Sequence, residues 1–433
     1  MVAGMAKDGL TLLLAGDALI TRPWSHVADP AFLQLIEEIR GADVAVANLE
    51  TVIHEFKGFA QHDSGGTWMA SPPAIAAELR WAGFDMLAHA NNHAFDYGST
   101  AILETIGHVE AAGLVLAGSG KDLQEARSPR YVRTKGRTVA LVSMAATFVP
   151  YGMASNSRPD VRGRPGINPL TLTRREKAIV VPPWAADRLR AFGRSLGRKP
   201  DKLSGPSFKV GPRFHVGKGF GIERARQLTE DDRGANLKAI AEAARNADIV
   251  VTSIHAHRQE RWLTEFAEDA IEQGADIVFV QGPHEVRPIR FHRGKPILYS
   301  LGDFLYETAY IARFPAEAYE RLQLGDDASP GDLIREQRQR RVPLEVRRQM
   351  FEGFVATVSF IDGRVSRISL IPIDLQFDAD DERFGRPRIA APELGRRIVE
   401  EVAALSRPHG AAIVYDSATN RGNVDVPEPQ ITL

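Results

Sequence analysis

The run Ala90-Asn91-Asn92-His93-Ala94-Phe95-Asp96-Tyr97-Gly98 directly follows the apolar stretch Phe84-Asp85-Met86-Leu87-Ala88. An amide beside an imidazole at a strand end offers a metal-directed oxygen and a proton-handling nitrogen. Gly98 and Ser99 can open a helix behind them. Asn92 has two readings, as a ligand oxygen or as an amide that ties down the turn. His93 is either a proton donor oriented by Asp96 or simply a structural partner of that carboxylate.

Four further segments put metal-capable residues at or just after predicted strand ends: Asp17, Glu50, His255 with His257, and His284. Ligands of open α/β sheets gather outside the carboxyl ends of strands. One such residue alone is usually a cap or turn former, but five segments together point to one site. His255 and His257 share a face if their segment is extended. The chain has no cysteine, so any ion must be held by His, Asp, Glu or Asn, which suits Mn, Fe, Zn or Mg. His54, His62, His89, His108 and His292 lack such company and read as ordinary. Gly302-Asp303-Phe304 reads as a structural turn under the site.

The elements that must carry these residues alternate as in an α/β protein. Strands are predicted at Thr11–Ala15, Asp43–Ala47, Phe84–Ala88, Val115–Ala117 and Thr138–Ser143, with helices at Ala31–Arg40, Pro72–Trp81 and Ser99–Ala112. From 150 to 220 the pattern breaks into a Gly-, Pro- and Arg-rich stretch, with a short helix over Pro183–Leu196. Such a long insertion is expected to be functional or mobile. Order returns with a helix from about Ala235 to Asn246, the strand Asp248–Ile254, the helix Thr264–Gln273 and the strand Asp276–Val280. Further strands are predicted at Val286–His292 and Pro296–Leu301. A charged insertion covers 310–350. Phe354–Ile361 and Val365–Ile373 read as a hairpin across Asp362-Gly363. Pro392–Ala404 is a predicted helix, and the tail after Arg407 has little pattern.

With 433 residues, 44% hydrophobic and 25% charged, the chain can bury a sizeable core. No secretory signal is evident at the N-terminus, and no stretch approaches the ~18–20 apolar residues of a membrane span. The expected location is therefore the cytoplasm. Tyr151 to Phe220 holds 15 Lys/Arg against 4 Asp/Glu in a chain of net charge −1. This basic segment is either a solvated surface or a means of attracting an anionic partner. No nucleic acid is expected as that partner.

Gly16-Asp17, Asn48-Leu49-Glu50-Thr51 and the Ala90–Gly98 run resemble the CapA family, named for capsule poly-γ-glutamate synthesis in bacteria. Val251-Thr252-Ser253-Ile254-His255-Ala256-His257 resembles that family's penultimate histidine motif. Gln281-Gly282-Pro283-His284, followed by Lys295–Phe304, resembles its final block. The resemblance implies a calcineurin-like metallophosphoesterase fold, two stacked mixed β-sheets flanked by helices in an α/β/β/α sandwich. One such domain would span 8–375 with the two insertions, and 376–433 would form a C-terminal helix and tail. It also implies roles: Asp17 and His284 on one metal, Asn92 and His255 on another, Glu50 bridging them, and His93 as general acid or charge stabiliser. Asn48, Asn91, Asp96, His257 and Gln281 would support these groups or touch substrate.

One departure matters. Relatives commonly carry a Gly-His pair where Val280-Gln281 stands, and Gln281 is at best a weak neutral ligand. Three outcomes follow: His257 compensates, one ion binds instead of two, or none binds. The first functional reading is a metal-dependent hydrolase acting on a phosphoester or an anionic peptide-like substrate, with the basic 151–220 insertion holding the anion. The second is a metal-independent peptide epimerase of ribosomal-peptide (lasso-peptide) maturation, using Asp17 and His284 as acid–base pair. The third is a non-catalytic polymer-binding scaffold.

Overall fold

The structure is a computed structural model that describes residues 9–173, 176–199, 203, 207–217, 219–341, 348–379 and 382–427. Two mixed sheets form its centre. The larger runs in the order Ile413–Asp416, Arg421–Val424, Arg364–Asp374, Glu352–Ile361, Leu10–Leu19, Val44–Leu49, Met86–Ala88 and Val115–Ala117. Asp303–Tyr306 also pairs with the first strand, and Arg388–Ile389 with Arg364–Asp374. The smaller runs Ile289–His292, Lys295–Leu298, Ile277–Gln281, Ile249–His255, Arg137–Ala145 and Arg130–Thr134.

The period of two along each strand sorts side chains between layers. Leu12, Leu14, Val44, Val46 and Met86 pack against Leu141, Val251, Ile277 and Phe279 between the sheets. Their neighbours Leu13, Ala15, Ala45 and Ala47 face the opposite way, against the helices Pro30–Gly41 and Ala74–Ala82. On the far side Val142, Val250 and Val278 meet the helices Glu230–Asn246 and Arg261–Glu272. The order is therefore helix, sheet, sheet, helix. Central strands buried on both faces carry continuous apolar runs, which is why they are legible in the sequence.

Local chemistry sets the boundaries. The Pro30–Gly41 helix starts where Asp29 Oδ1 accepts a hydrogen bond from Phe32 N at 2.8 Å, with proline in its first turn. Glu230–Asn246 begins earlier than expected, because Glu230, Asp231 and Asp232 oppose the positive end of its dipole. Asp362 and Gly363 both take positive φ (53° and 73°), the backbone a two-residue hairpin turn needs.

The structure corrects two expectations. The 150–220 stretch is not a loop around one helix. Ser207–Lys209, Arg213–Val216, Glu176–Val181 and Gly221–Ala225 form a four-stranded sheet. The helix Pro183–Ser195 packs on it through Ala185 and Ala186 against Val181, Phe208 and Phe214. The strands are short and rich in Arg, Lys and Gly, which masks their alternation. The patternless tail supplies two more strands, Ile413–Asp416 and Arg421–Val424, extending the large sheet from Arg364–Asp374. The 310–350 insertion holds the helices Ala316–Glu320 and Pro330–Arg341, which anchor by Ala318, Leu322 and Leu333 against Trp68, Tyr97 and Ala101. Among the described residues no helix is long and apolar enough to cross a membrane.

Candidate metal centre

The five segments singled out in the sequence converge where strand ends of the two sheets face each other. Asp17 lies at an irregularity in Leu10–Leu19, in register with Asn48 on one side and Asp303 on the other. Gly16 permits this: a Cβ there would sit 1.9 Å from the Gly302 carbonyl oxygen, so a side chain would force the two segments apart. Asp17 Oδ1 accepts from Asn48 Nδ2 at 2.7 Å and Oδ2 from the Gly282 N–H at 2.8 Å. Asn91 donates to the Leu49 carbonyl at 2.8 Å and accepts from the His93 N–H at 3.1 Å. Asn48 and Asn91 thereby lock the neighbouring strand ends to one another.

Glu50 is fully buried, and neither carboxylate oxygen has a protein hydrogen-bond partner. Its Oε1 lies 3.7 Å from His255 Nε2 and 4.0 Å from both His284 Nε2 and His93 Nε2. His257 Nε2 is 3.2 Å from His255 Nε2 and 3.3 Å from Asn92 Oδ1. Asn92 Nδ2 donates to the Gly65 carbonyl at 3.0 Å, which turns its oxygen toward these imidazoles. Ligand atoms of Glu50, His257 and His284 lie within 4.8 Å of one another, as do those of Asp17, Glu50, His284 and Asp303.

Two imidazoles are held through Nδ1. His284 Nδ1 sits 2.7 Å from Asp303 Oδ1, and its backbone adopts a positive φ of 56°. His93 Nδ1 sits 2.7 Å from Asp96 Oδ2, which also accepts from the Met69 N–H at 2.8 Å. Both rings consequently turn Nε2 toward Glu50. Gln281 is buried and in register with His255, accepting from Ser253 Oγ at 3.1 Å, while its Nε2 has no partner.

Burial dominates the electrostatics. It raises Asp17 to about 6, against the pull of His284, and raises Glu50 well above the usual carboxylate range, with Asp17 adding to the effect. Burial and then the neighbouring imidazoles hold His255 far below its ordinary value and His257 at about 3. Burial also opposes the charge on His284, yet Asp303, Glu50 and Asp17 together keep it well above. Neutral imidazoles and a buried carboxylate without partners form a nitrogen-and-oxygen donor set that fits a divalent cation.

Asp303 belongs to this cluster, whereas the sequence alone reads Gly302-Asp303-Phe304 as a structural turn under the site. The signal was present, since Leu301-Gly302-Asp303 repeats Ala15-Gly16-Asp17 after an apolar run. His89 and His292 stand apart from it: His89 bonds Ser119 Oγ at 2.9 Å and the Thr51 carbonyl at 3.1 Å, and His292 bonds Glu272.

Residues 11–308 match the family model of the bacterial capsule synthesis protein PGA_cap. The chain belongs to this family. The chain is also similar to individual proteins. An uncharacterized protein of Sinorhizobium fredii is 29% identical, over 94% of this chain and 92% of its own length. The capsule biosynthesis protein CapA of Bacillus anthracis is 21% identical, over 70% of this chain and 61% of its own. The PGA biosynthesis protein CapA of Bacillus subtilis is 23% identical, over 70% and 65%. This PGA_cap chain thus spans less than two thirds of either Bacillus protein.

A cavity of about 800 Å³ opens over the cluster, reached by Asn92, His93, His257 and His284. Tyr306, Met350, Phe351, Phe377 and Phe384 line its other side.

Proposed function

We propose that this chain is a divalent-metal-dependent hydrolase of calcineurin-like fold, acting on a phosphoester or an anionic peptide-like substrate. Glu50 carries the proposal. A carboxylate this deeply buried with both oxygens unpartnered is costly, on the order of 1–3 kcal/mol or more, unless a cation completes it. Asp17, His284 and Asp303 would hold one ion, Asn92, His255 and His257 a second, with Glu50 between them. His257 takes the place that Gln281 cannot fill. Manganese, iron or zinc suits these donors.

A bound ion would supply Lewis-acid activation of water and compensate negative charge developing on the substrate. The protein's own part is positioning and proton transfer. Asp96 fixes His93 so that Nε2 faces the cavity, where it can donate a proton to a leaving oxygen or nitrogen. Asn48 and the Gly282 N–H hold Asp17 in one orientation. The basic segment within 151–220 would draw an anionic substrate toward the chain.

The epimerase reading has less support. Asp17 Oδ2 and His284 Nδ1 are 3.8 Å apart, whereas inversion needs acid and base on opposite faces of an intervening carbon. The scaffold reading leaves the buried cluster without a purpose.

Elemental analysis of the purified protein, paired with a phosphodiester and peptide screen with and without chelator, tests the proposal. Near-stoichiometric metal and chelator-sensitive turnover are expected. A metal-free protein that exchanges deuterium into a peptide Cα would overturn it.

A further inference from the structure

The cavity over the metal centre is divided by chemistry. One side presents the imidazoles and Asn92. The other is an aromatic wall in which Phe351 packs 5.0 Å from Phe377 and 4.7 Å from Phe384, ring centre to ring centre. Tyr306 joins the halves, 6.3 Å from His284 and 5.3 Å from Phe351. Only two ring-to-ring steps separate His284 from the wall. Phe377 and Phe384 are half-buried, so their remaining exposed surface faces a space large enough for a further side group.

We propose that the substrate carries an aromatic or large branched apolar group next to its reacting anionic or carbonyl centre, and that Phe377 and Phe384 select for it. The inference rests on the hydrolytic reading of the same site and narrows it. A homopolymer of glutamate fits poorly. Apart from the histidines, Arg335 is the sole basic side chain among the described lining residues, and it is already paired with Asp332 at 3.0 Å. Arg348 lies 5.0 Å over the Phe377 ring but is paired with both oxygens of Asp378, so carboxylates laid along Phe351, Phe377 and Phe384 would lose water and gain little counter-charge. An aryl group placed there would instead remove apolar surface from water on both partners.

The test is calorimetric binding of phenylphosphonate, methylphosphonate and a γ-linked pentaglutamate to the full chain supplemented with Mn²⁺. Phenylphosphonate is expected to bind about tenfold or more tighter than methylphosphonate. In the Phe377→Ala/Phe384→Ala double variant the ratio should fall to about twofold. Phe377→Leu, which keeps apolar volume, should retain most of it, and thermal melts report whether each variant is folded. Equal binding of the two phosphonates, no binding of either, or tighter binding of pentaglutamate overturns the proposal. A retained phenyl preference with no chelator-sensitive turnover of bis(p-nitrophenyl) phosphate or of any peptide in the screen would sink the hydrolytic reading alone and leave the apolar subsite standing.

Discussion

Asp96 Oδ2 lies 2.7 Å from Nδ1 of His93, three residues earlier in the same turn, and this contact decides which ring nitrogen faces the cavity. With Nδ1 engaged, Nε2 is the nitrogen left for proton transfer. Replacing His93 with Ala should lower turnover about 100-fold or more, while the melting temperature moves by only a few degrees. Rate and melt measured on the same preparation check this, and equal losses in both would make His93 a structural residue.

Glu50 should show opposite signs in stability and metal affinity. Glu50→Gln removes a buried carboxyl that on folding must either take up a proton or ionise with no hydrogen-bond partner, so the chelated variant should be about 1–3 kcal/mol more stable at pH 7 than the chelated parent. Its Mn²⁺ affinity should fall by about 100-fold or more. Urea unfolding with EDTA and with Mn²⁺ reads both effects. A variant less stable than the parent in EDTA would mean the carboxylate already has a stabilising partner.

His89 provides an acid-sensitive latch away from the cavity. Burial pushes it from 6.5 to about 4, opposed by its bond to the Thr51 carbonyl. Between those values the unfolded chain binds a proton at this position and the folded chain does not. Stability therefore falls as pH drops from about 6.5 toward 4, by on the order of 3 kcal/mol in total. The difference between the parent and His89→Gln in urea unfolding at pH 7 and pH 4.5 isolates this group. The parent should lose about 2 kcal/mol more than the variant over that interval.

Glu307 ties three distant segments together. Buried and unexposed, it accepts from the Thr21 N–H at 2.9 Å, the Arg22 N–H at 3.0 Å, Arg22 Nη2 at 2.8 Å and Arg386 Nε at 3.4 Å. Glu307→Ala would leave the nearly buried Arg386 guanidinium short of its counter-charge. A loss of about 3–5 kcal/mol is expected in chemical denaturation. A change below about 1 kcal/mol would mean water or another acid takes over the pairing.

Most of the layered centre is legible because its strands are buried on both faces and its helices show an apolar stripe. Phe84–Ala88, Asp248–Ile254 and Asp276–Val280 announce themselves in this way, and the residues at their ends then mark the site. The structure adds what periodicity does not encode. The strands around Arg213–Val216 bury only one face in a small core, so their basic side chains hide the alternation. Ile413–Asp416 forms the sheet's outer edge and is mostly half-exposed, which leaves too few apolar positions to recognise. Asp303 is hard to recognise in the sequence because a Gly-Asp pair is an ordinary turn signal. Its role emerges from a register partner, Asp17, that lies far away in the chain. The pairing of Asn91 with Leu49 and Asn48 is likewise a tertiary fact that neither segment shows alone.

The close approach of Gly16 to Gly302 also has a temporal side. Asp17 leaves the ribosome long before its register partner Asp303, which lies far downstream in the chain. The first strand gains its flanking strand Glu352–Ile361 later still. Assembly of the cluster therefore waits until Asp303 has been made, after the second sheet has its strands in hand. A nascent or truncated chain ending before Asp303 should hold Mn²⁺ no better than an unfolded peptide. Equilibrium dialysis of a 1–300 fragment against the full chain measures this. Ion capture would then serve as a checkpoint, marking the polypeptides whose far ends have met.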